Sequence, residues 1–126
     1  MGEQKEKFLK IKYVKFGADQ IWLSHKAYVY KYDSKYAKKG RYALVKSVDN
    51  TVSEEPSWQI AVITDLMPKA KRANERLFLE NITAMDSSLL GTTPNKPKTF
   101  AEVPELMQIN AHFNNFVAQK KAEENK

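Results

Sequence analysis

Hydrophobic and polar residues alternate along the first half of the chain, which is the pattern of half-buried β-strands. In Phe8–Phe16 the apolar residues alternate with lysines, and in 27–33 three tyrosines share one face. Two later stretches, 41–48 and 58–65, are rich in residues that favour strands. A short apolar piece at 21–23 lies between two polar turns. The first half of the chain therefore predicts a series of short antiparallel strands.

The connections between these strands indicate how the sheet is built. Residues 49–57 have the turn chemistry of a long hairpin loop between two neighbouring strands. The segment 66–86 fits two interpretations, a helix opened by Pro68 or a fifth strand at 76–82. We expect a short turn or helix followed by that strand. The spacing predicts a small antiparallel β-barrel or bent sheet of about five strands, SH3- or OB-like in type.

The end of the chain carries a different pattern, which predicts a helix. Residues 91–98 contain two prolines and are typical of a linker or extended loop. Thr99 and Glu102 have the spacing of a capping box, although Pro104 places the start of the helix later. Apolar residues then recur at helical spacing as far as Val117. We expect an α+β protein with a small β-barrel domain at 1–90 and a linker and amphipathic helix at 91–126.

The apolar side of this helix has two possible partners. It can pack on the sheet of its own chain, which we favour, or it can pair with a second copy or with another protein. In the second case Met107, Phe113 and Phe116 would form the interface, and the protein could be a homodimer.

The charge of the chain is concentrated near its start. The chain has 126 residues and a net charge of +6, yet its first 46 residues carry +8 and the remainder −2. All six tyrosines lie in the same early region. The mean hydropathy is −0.61, no apolar run is long enough for a membrane helix, and no signal-type segment follows the charged start. We therefore expect a soluble cytoplasmic protein with no membrane partner.

A region that is both basic and rich in tyrosine suits a polyanion such as nucleic acid or a nucleotide. Lysine neutralises phosphates, and aromatic rings can stack on bases. The alternative is that lysines keep the sheet soluble while tyrosines fill strand positions. Only three of the 21 basic residues are arginine, which favours general electrostatic attraction over base reading. The candidate ligand-binding residues are Lys10, Lys12, Trp22, Tyr28, Tyr30, Lys31, Lys35, Lys38, Lys39 and Arg41.

A search for catalytic chemistry finds no motif. The two histidines, His25 and His112, lie far apart in sequence, and Glu54-Glu55 lies in a predicted loop. The chain has no cysteine, no nucleophile elbow and no pair of glycines that frames a phosphate loop. A metal-dependent nuclease would need distant carboxylates such as Asp33 and Asp65. We expect a non-enzymatic protein with no catalytic residue, no metal site and no cofactor, in which Trp58 belongs to the core.

Three segments together resemble a known type of module. They are Tyr28–Asp33 (Tyr-Val-Tyr-Lys-Tyr-Asp), Gly40–Val45 (Gly-Arg-Tyr-Ala-Leu-Val) and Ile60–Asp65 (Ile-Ala-Val-Ile-Thr-Asp). The pattern resembles a small β-barrel module of bacteriophage proteins and is similar to the N-terminal DNA-binding barrel of the primosomal replication-restart helicase. Where such modules commonly have an acidic residue after the glycine, this chain has Arg41.

This resemblance implies a phage-encoded binding protein in the cytoplasm of the host cell. Some small phage proteins of this make-up act against host defence, by sequestering a nucleotide signal or by blocking a nuclease complex. The alternative function is an inhibitor or assembly factor that binds an acidic or apolar surface of a host or phage protein.

Overall fold

The computed structural model describes residues 7–32, 37–47, 57–67 and 86–124. Within these ranges the protein is α+β with an antiparallel sheet and a C-terminal α-helix, as the sequence predicts, and the sheet has six strands where about five were expected. The elements are β1 (Lys7–Phe16), β2 (Gln20–Leu23), β3 (Tyr28–Tyr32), β4 (Tyr42–Ser47), β5 (Ser57–Met67), β6 (Lys98–Thr99), a 3₁₀ turn (Phe100–Glu102) and α1 (Leu106–Glu124).

The long strand β1 is the centre of the sheet. One of its edges pairs with β5, while the other pairs with β3 along its first half and with β2 along its second half. β2 and β3 are thus the two parts of one interrupted strand. At the interruption, the backbone N–H of Ser24 donates to the carbonyl of Tyr13 at 2.7 Å, and the Tyr13 N–H donates to Ser24 Oγ at 3.0 Å. These two bonds keep both halves in register with β1.

The outer strands extend the sheet on both sides. β4 pairs with β5 along its whole length, which confirms the predicted hairpin, and β6 pairs with β2. The order is β4-β5-β1-β2-β6 with β3 beside β1, and the sheet formed by the described residues is open. The predicted strand at 76–82 and residues 49–56 of the predicted loop lie outside the described residues, while Ser57, the last residue of that loop, is the first residue of β5.

The sheet carries a hydrophobic core on each of its two faces. Alternation along β4 directs Tyr42 and Leu44 to one face and Ala43 and Val45 to the other. The helix-side core contains Val14, Ile21, Leu23, Tyr42, Leu44, Ile60, Val62, Leu89, Val103, Ile109 and Phe116. The tyrosine-side core contains Leu9, Ile11, Tyr13, Tyr30, Ala37, Ala43, Val45, Ala61 and Ile63.

Helix α1 lies on the helix-side core. Phe116 is 5% exposed and meets Trp58 edge to face at 4.7 Å between ring centroids. This contact confirms that Trp58 belongs to the core. The helix begins two residues after Pro104, while Thr99 donates from its N–H and its hydroxyl to the Glu102 carboxylate ahead of the 3₁₀ turn. The predicted capping box is therefore present at the start of the 3₁₀ turn, and the α-helix itself starts later, after Pro104.

Candidate nucleic-acid interface

Three of the predicted basic residues lie together on one face of the sheet. Lys10 is directly opposite Val29, and Lys31 is directly opposite Phe8, so Lys10 and Lys31 are diagonal neighbours on adjacent strands. Diagonal pairs of this kind are about 7 Å apart. Lys12 follows Lys10 by two positions and shares its face, about 6.6 Å further along β1. We call Lys10, Lys12 and Lys31 the lysine face.

The lysine face continues the helix side of the sheet beyond its core. Lys12 is opposite Val62, which belongs to the helix-side core. Lys31 is exposed, while Lys10 and Lys12 are half-buried, as expected of side chains whose aliphatic stems lie on apolar neighbours and whose ammonium groups reach water. The exposed Asp65 is opposite Lys10 on β5. Among the described residues, the register therefore places three lysines and one carboxylate on this face, and clustered lysines of this kind attract anions.

The predicted pair Lys38 and Lys39 is exposed and occupies the turn that leads into β4. This turn is fixed by Gly40, whose φ is +91° and whose N–H donates to the carbonyl of Ile63 at 2.7 Å. Ile63 is opposite Ile11, so the turn lies level with the lysine face, about 10 Å away across two strands. Both lysines therefore lie at the same end of the sheet as the lysine face. Lys35 lies outside the described residues.

The tyrosines lie on the opposite face, which corrects a prediction. In register, Tyr28 is opposite Ile11 and Tyr30 is opposite Leu9, so both tyrosines point to the tyrosine-side core. Tyr30 is 1% exposed, and its hydroxyl is hydrogen-bonded to the hydroxyl of Tyr13. The proposed role of Tyr30 in stacking on a ligand is wrong, because its ring is enclosed. Tyr28 is half-buried and packs against Tyr13, with ring centroids 5.0 Å apart.

Trp22 also lies away from the lysine face. It is opposite Lys15, whose ammonium lies 5.7 Å from the centre of the Tyr13 ring. Trp22 therefore shares the tyrosine side of the sheet. Its ring lies against Gly17, where an added Cβ would come within 3.0 Å of the ring. This close approach explains the glycine in the turn, and it corrects the expectation that Trp22 and the strand lysines form one surface.

Arg41 has a local role beside β4. Its Nε lies 4.0 Å from a carboxylate oxygen of Asp86, and its backbone carbonyl accepts a bond from the N–H of Ile63 at 2.9 Å. Alternation along β4 places Arg41 on the face opposite Tyr42, the tyrosine side. The grouping of Arg41 with Lys10, Lys12 and Lys31 is therefore wrong.

The three helix residues predicted to form an interface lie in different environments. Phe116 is buried in the helix-side core, and Phe113 packs against that core. The structure therefore has the helix packed on the sheet of its own chain, the arrangement that the sequence favours; Phe116 is enclosed there, which contradicts its assignment to an interface, whereas Phe113 is only half-buried. Met107 is 80% exposed.

A buried carboxylate at the start of α1 was not predicted. Glu105 accepts hydrogen bonds at 2.7 Å from the Tyr42 hydroxyl and from the Ser88 N–H, and a further bond at 2.9 Å from the Ser88 hydroxyl. Burial raises the pKa of Glu105, but the bonds from Ser88 and Tyr42 together outweigh it and hold the pKa below its usual value. Burial also raises the pKa of Tyr42. Glu105 thus joins α1 to β4 and to the segment at 86–92.

Metal-ligating side chains do not gather within the described ranges. His25 and His112 are both exposed and lie on different elements, and no three histidines or carboxylates of the described residues could hold one ion. Asp33 and Glu54-Glu55 lie outside these ranges. In the part of the chain that the structure describes, no helix has the length and apolar character to cross a membrane.

Comparisons with protein-family models, with curated proteins and with solved structures found no match to this chain.

Proposed function

We propose that the protein binds nucleic acid through the lysine face, by electrostatic attraction to phosphates and without catalysis. The observation that supports this proposal is the strand register, which gathers Lys10, Lys12 and Lys31 on adjacent strands. A group of lysines on one surface attracts the phosphates of a nucleic acid through the positive potential that it creates. A flat strand surface also suits an extended backbone that carries several charges.

The number of lysines in the lysine face sets how steeply the affinity is expected to fall with salt. Each phosphate that a lysine neutralises releases counterions, and the logarithm of the affinity for duplex falls by about 0.9 per contact for each tenfold rise in salt. Three contacts therefore predict about a 40-fold loss of affinity between 50 and 200 mM salt. Lys38 and Lys39, at the same end of the sheet, add to this loss if the ligand reaches across β5.

The test compares two variants that remove the same charge from different places. K10Q/K12Q/K31Q removes the lysine face, and K15Q/K96Q/K121Q removes three exposed lysines that lie elsewhere. Binding to a fluorescently labelled DNA duplex is measured by anisotropy at low salt, after circular dichroism confirms that both variants are folded. We expect the first variant to lose at least about tenfold more affinity than the second. Equal losses in both variants, or no binding by the unaltered protein, would reject the proposal.

For the fold type, we propose the SH3- or OB-like small barrel that the sequence predicts. One edge of β1 pairs with β3 and then with β2, and its register with β5 shifts between Lys10 and Ile11; strands that change partners at such irregularities form the corners of small barrels. Barrels of the OB type bind oligonucleotides on their strand surface, which agrees with the location of the lysine face on β1 and β3.

A further inference from the structure

We infer that the lysine face holds the phosphate backbone and leaves the bases uncontacted, so that the ligand is bound without regard to sequence and at least as well when its bases are paired. This inference rests on the proposed function and adds the class of nucleic acid. The feature that carries it is the separation of Lys10, Lys12 and Lys31 from Tyr28 and Tyr30, which lie on opposite faces of the sheet.

The strand register produces this separation. Lys10 and Lys12 alternate with Leu9, Ile11 and Tyr13 along β1, so the lysines and the apolar residues face opposite ways. β3 repeats the arrangement, because Tyr28 and Tyr30 are opposite Ile11 and Leu9 while Lys31 is opposite Phe8. A ligand that contacts the lysine face therefore has the sheet itself between it and the tyrosine rings.

Two phenylalanines on the lysine side of β1 could still offer stacking. Phe8 is opposite Lys31 but is only 8% exposed, so a base cannot lie flat on its ring. Phe16 is 47% exposed and also alternates onto this side. It lies about 13 Å from Lys12 along β1, and the buried Val14 of the helix-side core stands between them. Phe16 is therefore outside the lysine face and serves as a test residue.

Among the described residues, β1 and β3 place no arginine, asparagine or glutamine on this side of the sheet. Base recognition in the grooves relies mainly on arginine at guanine and on asparagine or glutamine at adenine, and lysine can also contact guanine. The described residues of β1 and β3 on this face between Phe8 and Lys12 are lysine, valine and phenylalanine. An ammonium group acts on phosphate as a point charge and imposes little direction on its partner. The chemistry thus favours contacts that fix position on the backbone and carry no sequence information.

Pairing of the bases strengthens this kind of contact. Duplex DNA carries one negative charge per about 1.7 Å of its axis, and it releases more counterions for each neutralised phosphate than a single strand does. An interface that relied on stacking would show the opposite preference, because paired bases hide their faces. The relative affinity for duplex and single strand therefore separates the two kinds of contact.

The experiment compares three labelled DNA probes with the same number of phosphates: a duplex, a single strand, and a single strand in which abasic sites replace the nucleotides. We expect the abasic probe to bind within about twofold of the ordinary single strand, and the duplex to bind at least as tightly as either. The variants F16A and Y28L should bind all three probes as the unaltered protein does, and a duplex of shuffled sequence should bind equally.

A loss of about fivefold or more with the abasic probe, or with F16A, would overturn the inference, since stacking of a base on one ring contributes about fivefold or more in affinity. Preference for one duplex sequence over its shuffled counterpart would overturn it as well. These outcomes differ from failure of the proposed function, in which the unaltered protein binds no probe or K10Q/K12Q/K31Q binds as well as its control variant.

Discussion

The replacement Glu105→Gln tests how α1 is held against the sheet. Glu105 accepts three hydrogen bonds from Tyr42 and Ser88 in a buried position. Glutamine has nearly the same shape, but it removes the negative charge and turns an amide group toward at least one donor. Hydrogen bonds to a charged group contribute about 1.5–3 kcal/mol each, and glutamine keeps part of them through its carbonyl oxygen.

We therefore expect Glu105→Gln to lower the free energy of unfolding by about 2 kcal/mol. The assay is urea denaturation at neutral pH, followed by tryptophan fluorescence, because Trp58 packs beside α1. The control is Glu123→Gln, which removes an exposed pair with Lys120 and should cost about 0.5 kcal/mol or less. Equal effects of the two replacements would refute the argument that the buried carboxylate joins the helix to the sheet.

Two further measurements define the Glu105 contact. Tyr42→Phe removes one donor and should cost about 1 kcal/mol, and the double variant with Glu105→Gln should cost less than the sum of the two. The folded-state pKa of Glu105 lies below its unfolded value of about 4.3, so its contribution is present above that pH and is lost as pH falls through the folded pKa. The stability difference between the unaltered protein and Glu105→Gln should therefore shrink below about pH 4.

Other predictions concern the core and one turn. Phe116→Ala should lower the free energy of unfolding, measured by urea titration, by about 3–5 kcal/mol, because its ring is buried. Met107→Ala, at an exposed position, should change it by about 0.5 kcal/mol or less. Similar effects of the two replacements would contradict the docking of α1 on its own sheet. Gly40→Ala should cost about 1–2 kcal/mol, because φ there is +91° while the nearest atom, a Leu90 methyl, is 3.6 Å from the added Cβ. Gly40→Asn should cost less, and equal costs would contradict this conformational argument.

The sequence predicted most of the strands because each carries a local signal. Alternation in β1 and β3, and the apolar runs in β4 and β5, are properties of single segments and appear where the structure has strands. The central place of β1 and the division of its edge between β2 and β3 depend on contacts between distant segments. β6 was missed because a two-residue strand has no periodicity of its own, and it lies where the predicted linker ends at Lys98 and the predicted capping box begins at Thr99.

The candidate site was only partly predicted, because its arrangement also depends on contacts between distant segments. Alternation shows that Lys10 and Lys12 share a face, but it does not show that Lys31 joins them while Tyr28 and Tyr30 turn away. That result needs the register between β1 and β3, which places the tyrosines opposite Leu9 and Ile11. Local composition combined these residues into one basic and aromatic surface, whereas the fold divides them between two faces.

Glu105 illustrates a contact that has no local signal at all. Its partners Tyr42 and Ser88 lie on separate segments, and the residue itself follows a proline at the start of a helix, where an exposed acid is common. Only the folded chain brings the three groups together. The nearest hint in the sequence is that Pro104 delays the start of the helix, which leaves Glu105 at the position where the helix meets the sheet.

The most direct test of the lysine face is the salt dependence of duplex binding, measured for the unaltered protein and for K10Q/K12Q/K31Q. A plot of the logarithm of affinity against the logarithm of salt concentration gives the number of phosphates neutralised. We predict that the triple variant has a slope shallower by about 2.7, the contribution of three lysine–phosphate contacts. Parallel lines for the two proteins would contradict the assignment of these lysines to the nucleic-acid interface.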